Sequence, residues 1–283
     1  MNSKAIKKQL LAAVAMVLVA AVALGSSTYA WFVASSSVTA KGMKVQAMAE
    51  SGLAISHDGT VWGSVSTSDR QEKTLSPVST KDLTNWYHAT ALAPSNYSAG
   101  TGVKRDDVTA TVLPSGTFDD NNTYVFRDKF EIRSTAAGEN QSKGLYVKSI
   151  TVTQGTNEAA VEKTMSTALR VGVAYTTTGA TSTVTKIFAP VSLKSGTNNT
   201  PTKTYAVYDA NGAQIGADFT VDEFGETTSN LIGASTAISK DEPISVYIYI
   251  WFEGEDHNLY SDNFHAENLN VSVEFSSISG AGA

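Results

Sequence analysis

The chain reads as an all-β protein, a jelly-roll-like β-sandwich with one or two short helices inserted. Three observations predict this class. Threonine, serine, valine, glycine and alanine dominate while proline numbers only 6, and β-branched side chains fit a pleated surface better than a helix. Apolar residues alternate at period two in several separate stretches, most clearly from Ile244 to Phe252, as half-buried strands require. Turn residues punctuate those stretches at the short spacing of sandwiches and barrels. A chain of 283 residues with no cysteine can bury a core without disulfide staples. The missing thiols also exclude thiolate metal sites and a cysteine nucleophile.

Lys4, Lys7 and Lys8 precede an uncharged run from Leu10 to Leu24, and Gly25-Ser26-Ser27 interrupts it. Thr28-Tyr29-Ala30 then places small residues at −3 and −1 of a cut between Ala30 and Trp31. This grammar predicts a signal peptide over residues 1–30. The run is shorter than the roughly 20 apolar residues of a spanning helix. Leu113-Pro114-Ser115-Gly116-Thr117 echoes a wall-sorting motif but lies mid-chain.

Residues 31–42 form an N-terminal segment with Phe32, Ala34, Val38 and Ala40 on one face, read as a donor strand. After Lys41-Gly42 the apolar parity moves to Met43, Val45 and Ala47. A parity switch at a glycine predicts a bulge or hinge between two strands. Residues 43–283 are read as a single β-sandwich domain. Leu53 to Trp62 reads as a hairpin, with Asp58-Gly59 supplying a type I′ turn. Residues 64–106 are polar and weakly patterned, a loop-rich insertion with one helical turn near Leu83 to Tyr87.

Strands are expected at Tyr124 to Ile132, Leu145 to Val152, Leu169 to Tyr175 and Thr183 to Leu193. Asn157 to Thr167 reads as a short helix capped by Asn157. A hairpin around Asn211-Gly212 joins Tyr205 to Tyr208 with Phe219 to Val221, and Leu231 to Ala237 fits either class. In Ile244 to Phe252 the isoleucines and Val246 occupy one face and Tyr247, Tyr249 and Trp251 the other, so both faces should be covered. Val271 to Phe275 closes the pattern at period two.

The junction Ser27-Thr28-Tyr29-Ala30-Trp31-Phe32 directly after the apolar run resembles that of the camelysin/TasA-like family of exported bacterial matrix-fibre proteins. The following strand, Ser35 to Ala49, is similar too. Phe130-Glu131-Ile132-Arg133-Ser134 and Trp251-Phe252-Glu253-Gly254-Glu255-Asp256 look like recurrent motifs of such proteins. The resemblance covers residues 20–49 best and does not extend to 64–106. It implies a dedicated signal peptidase, a jelly-roll subunit, and extracellular fibres in which the freed N-terminal segment enters the neighbouring subunit. Physical chemistry supports donation separately. An apolar strand freed into water loses about 25 cal/mol per Å² of exposed apolar surface. Pairing with a sheet edge satisfies its backbone and buries Phe32, Ala34 and Val38, and head-to-tail donation propagates. The competing reading folds 31–40 back into its own sheet.

No constellation for catalysis, cofactor or metal is expected. His57, His88, His257 and His265 form no HExxH, the spacing that sets two imidazoles around zinc. Glu253, Glu255, Asp256 and Asp262, and likewise Asp119-Asp120-Asn121-Asn122, lack EF-hand order and read as turns. No nucleophile elbow, P-loop or dinucleotide fingerprint occurs. Tyr247, Tyr249 and Trp251 at strand spacing read as packing rather than a carbohydrate platform.

Without the three lysines of residues 1–30 the chain keeps 18 Lys and Arg against 27 Asp and Glu, a charge of −9. Such a surface argues against nucleic acid and against docking on anionic lipid, leaving membrane contact to export alone. The expected function is a secreted structural subunit of an extracellular or biofilm-matrix filament, self-associating and joined by matrix co-components. The runner-up is a monomeric cell-surface binding protein held by an uncleaved N-terminal helix. A secreted metalloprotease ranks last.

Overall fold

A computed structural model describes residues 16, 38–41, 44–50, 52–69, 73–89, 110–112, 124–137, 141–154, 168–176, 183–190, 204–205, 207, 214–225, 232–254, 266–267 and 269–278. Met16 apart, every described residue in regular secondary structure belongs to a strand or bridge. The protein is all-β, built from several sheets. The expected helix at Asn157–Thr167 lies outside the described residues.

Two five-stranded sheets carry the architecture. One runs β11 (Thr183–Phe188), β10 (Leu169–Thr176), β15 (Ile244–Phe252), β8 (Phe126–Ser134), β3 (Leu53–Ser56). The other runs β14 (Ile232–Ala237), β9 (Lys143–Gln154), β17 (Leu269–Ile278), β2 (Lys44–Ala49), β4 (Val65–Asp69). Pairing is antiparallel throughout except between β2 and β17. Alternation decides what each sheet buries. Phe126, Phe130 and Ile132 of β8, Val246, Ile248 and Ile250 of β15, and Val271, Val273 and Phe275 of β17 enter one shared core with Val45 and Ala47 of β2. The sandwich-like core is thus the meeting of two period-two faces.

The outer face of the first sheet is covered as well. Tyr249 and Trp251 of β15 join Val78, Leu83, Trp86, Tyr205, Val207 and Val221 in a second core. Trp251 is fully buried and meets Trp86 edge-on at 5.2 Å. β15 is therefore covered on both faces, as its unbroken apolar run required. Two segments supply the cover. One is the short hairpin of β12 (Thr204–Tyr205) and β13 (Phe219–Thr220). The other runs from Val78 to Trp86, tied to the end of β15 where Val78 N–H donates to Phe252 O at 3.0 Å.

Two local expectations are revised. Leu83 to Tyr87 forms no helical turn. Asp82 Oδ1 accepts the Thr84 and Asn85 N–H groups at 2.9 and 2.7 Å, and Thr80 Oγ1 accepts that of Leu83 at 3.1 Å. Side chains that satisfy backbone donors locally compete with a helix. The Asp58-Gly59 turn is not type I′, because only Gly59 takes positive φ where two such residues are required. Instead Asp58 Oδ1 gathers the Thr60 and Val61 N–H groups and the Ser56 hydroxyl at 2.8–2.9 Å. That loop carries the chain from β3 in one sheet to β4 in the other. Within 64–106, read as a loop-rich insertion, lie β4, β5 (Lys73–Leu75) and β6 (Tyr87–Ala89), the last paired with β7 (Ala110–Val112). Ile232–Ala237, which fitted either class, is strand β14.

Candidate assembly site

The N-terminal strand is the feature on which the functional question turns. β1 (Val38–Lys41) lies between two partners, parallel to β16 (Ala266–Glu267) and antiparallel to β5. Ala40 stands opposite Ala266 and Lys41 opposite Glu267. On the other flank Val38, Thr39 and Ala40 stand opposite Leu75, Thr74 and Lys73. Of the expected donor residues, Val38 and Ala40 are thus placed, whereas Phe32 and Ala34, like the junction Ala30–Trp31, lie outside the described residues.

The expected bulge or hinge at Gly42 lies outside the described residues; the two pieces it separates are β1, in a three-stranded sheet, and β2, in a five-stranded one. β2 continues beside β17 with Lys44 opposite Asn270 and Ala49 opposite Phe275, the same offset that relates Ala40 to Ala266. β4 continues β5 likewise, Lys44 opposite Asp69 and Ala40 opposite Lys73. The described pairs on either side of residues 42–43 thus share one offset with each flank. On the neighbouring flank Ser68 and Leu75 are both buried although an odd number of residues apart.

The position is anchored from one side by the core. Leu75 of β5 is fully buried among the residues of the main cluster. Neither flanking partner was legible in advance. β5 and β16 have three and two residues, too few for a period to register, and the pairing of β16 with β1 spans most of the chain.

The remaining candidate groups are dispersed. His57 Nε2 lies 3.1 Å from Oδ1 of the buried Asp128 and its ring meets Phe130 edge-on at 5.3 Å. His88 stands in β6 opposite Thr111. Glu253 is no solvated ligand: it is fully buried and its Oε2 accepts the Trp251 indole N–H at 3.2 Å. His257, His265, Glu255, Asp256, Asp262 and Asp119–Asn122 lie outside the described residues. Among the described residues no group of three or more His, Asp or Glu side chains could hold a metal ion, and no helix is long and apolar enough to cross a membrane. Tyr249 and Trp251 pack into the second core, and burial raises the Tyr249 phenol above its ordinary value.

Electrostatics concentrates on the solvent face of the second sheet. Lys148 of β9 bonds Glu50, just past β2, and reaches Glu274 of β17 at 3.1 Å, while Ser276 also donates to Glu50. The Lys148 ammonium and the Ser276 hydroxyl hold the Glu50 carboxyl below the usual range, and Glu50 with Glu274 holds Lys148 above its own. This arrangement straps three strands. Comparisons of the chain with protein-family models, with curated proteins and with solved structures found no match.

Proposed function

We propose that the chain is a secreted structural subunit of an extracellular filament, at the cell surface or in a biofilm matrix, that polymerises by exchanging its N-terminal strand. The observation that carries this reading is the seat of β1 between β5 and β16. Withdrawing β1 leaves two facing strand edges, a slot that pairs on both sides with whatever strand enters. The same segment from a second copy reproduces every main-chain contact of the first, and the exchange continues head to tail.

Two further features agree with it. The junction at Ala30–Trp31 resembles the camelysin/TasA-like family, in which a dedicated peptidase frees this strand. The strand connectivity suits a jelly-roll-like wrapping: β9 pairs with β17 in one sheet while β10 pairs with β15 in the other. Two nested antiparallel pairs so cross together between sheets, as a rolled ribbon does. Within a single chain β1 occupies its own slot, and that closed form is the one a monomeric surface-binding protein would keep.

Negative-stain electron microscopy of the chain beginning at Trp31, beside one lacking residues 31–40, separates the two. Fibres from the first and monomers from the second are expected. Monodisperse particles from both, across concentration and pH, would overturn strand exchange in favour of the monomer.

A further inference from the structure

Asp58-Gly59 is the one Asp-Gly pair of the chain, and its loop is exposed at Asp58, Thr60 and Val61. In an unfolded chain such a pair is chemically labile, because glycine has no Cβ to shield its amide from the preceding side chain. The Gly59 nitrogen attacks Cγ of the protonated Asp58 carboxyl. Its proton leaves with the carboxyl hydroxyl as water, and a five-membered succinimide closes. Water then opens the ring at either carbonyl, giving back aspartate or its β-linked isomer. The water lost is regained, and neither an oxidant nor a reductant takes part.

We propose that Asp58-Gly59 is a gated isomerisation site, held closed in the folded loop by Ser56 and Trp62 and opened when that loop detaches. Gly59 is tied at both ends: its N–H donates to Ser56 Oγ at 2.9 Å, and its carbonyl accepts the Trp62 indole N–H at 3.2 Å. Ser56 is fully buried, and the Arg133 guanidinium lies 4.0 Å over the Trp62 ring, so both ties are backed by the sheet beneath. The electrophile is tied as well. Asp58 Oδ1 accepts the Val61 and Thr60 N–H groups and the Ser56 hydroxyl. Those bonds, that of Val61 foremost, hold the Asp58 carboxyl well below the usual carboxylate range because they favour its charged form. Ring closure needs the protonated acid, so the ionised group is the unreactive one. Isomerisation would insert one carbon into the main chain of the loop between β3 and β4 and carry the carboxylate away from Thr60 and Val61. A loop that has reacted cannot rebuild this turn, so the modification records its openings. The proposal does not depend on polymerisation of the protein.

The test holds the chain at neutral pH for weeks, folded in buffer or unfolded in concentrated urea, and counts isoaspartate at residue 58 by isoaspartyl methylation and peptide mapping. Formation at least about tenfold slower in the folded chain is expected, since reaction waits for local opening. Ser56→Ala removes the hydroxyl shared by Gly59 and Asp58. It should speed formation in buffer by at least about threefold, the opening factor of one lost hydrogen bond, and leave the rate in urea unchanged. Trp62→Phe, which keeps a ring but loses the indole N–H, should act in the same direction. Leu83→Ala weakens the second core and leaves the turn intact, so it should leave the rate in buffer at the wild-type value. Urea unfolding confirms that each variant is folded. Equal rates for wild type in buffer and in urea, wild-type rates in both turn variants, or acceleration by Leu83→Ala equal to that by Ser56→Ala would each overturn the proposal.

Discussion

Gly172 shows how one residue seats a whole segment. It lies in β10 opposite Tyr249, and a Cβ there would stand 2.6 Å from Leu83 Cδ2 and 3.1 Å from Trp251 Cζ3. The missing side chain is what admits Leu83, which is buried although its φ is +56°. A left-handed leucine costs about 1–2 kcal/mol, so the segment stays down because Val78, Leu83 and Trp86 are buried together. Gly172→Ala is therefore expected to destabilise the fold by about 1–3 kcal/mol through overpacking, read from urea unfolding. Adding Leu83→Ala should recover part of that loss, since the two residues are in contact; strictly additive losses would refute the seat. At the far edge of the same sheet Asp222 acts as a substitute strand. Its carboxylate accepts the Ile187 N–H at 2.9 Å and its own N–H donates to Ile187 O at 2.7 Å. The exposed edge of β11 is closed at that point, as sheet edges in stable monomers commonly are.

Among elements, legibility follows length. β8, β9, β10, β15 and β17 are long enough for alternation to declare them, and each falls where its apolar pattern lies. Asp82 and Thr80 were visible as residues, but nothing local told that they would hold a turn under Trp86 rather than start a helix. The seat of β1 is decided by partners remote in sequence, and its register yields a direct test. Thr39 stands opposite Thr74, and opposed residues in an antiparallel pair have Cα atoms about 4.5–5.5 Å apart, within disulfide reach. In a chain with no native cysteine a new disulfide is unambiguous. The double variant Thr39→Cys/Thr74→Cys, oxidised as a monomer, should lock β1 at home and form no fibres. Mixing the two single variants under fibre conditions should give a covalent heterodimer on non-reducing gels. Fibres that form without that heterodimer would exclude exchange at β1.

For the whole molecule, the second and last described strands lie side by side, with β2 between β17 and β4 and β17 between β9 and β2. The strap of Glu50, Lys148, Glu274 and Ser276 crosses that closure. Because the folded Glu50 carboxyl is held below its ordinary value, its contribution is present above about pH 5 and is lost as pH falls through the folded value. Lys148, held above its ordinary value, contributes below about pH 10 and loses that contribution as pH rises through its folded value. Glu50→Gln should therefore lower the urea midpoint slightly at pH 7 and match wild type at pH 2–3. A difference that persists in acid would assign the role of Glu50 to packing instead.

The amino-acid sequence by itself determined the all-β class, the strands with sustained alternation, the two-sided burial of β15 and the lack of any thiol chemistry. These follow from composition and periodicity, which act through each residue's immediate neighbours along the chain. Tertiary structure alone decided that β1 keeps its register between β5 and β16, that Leu83 and Trp86 cover the first sheet, and that Arg127 and Arg133 are stacked on aromatic rings across from them in sequence. Each of those depends on which distant backbone edges and faces meet, and a hydrogen-bond ladder or a ring stack leaves no periodic trace in the separate segments that build it.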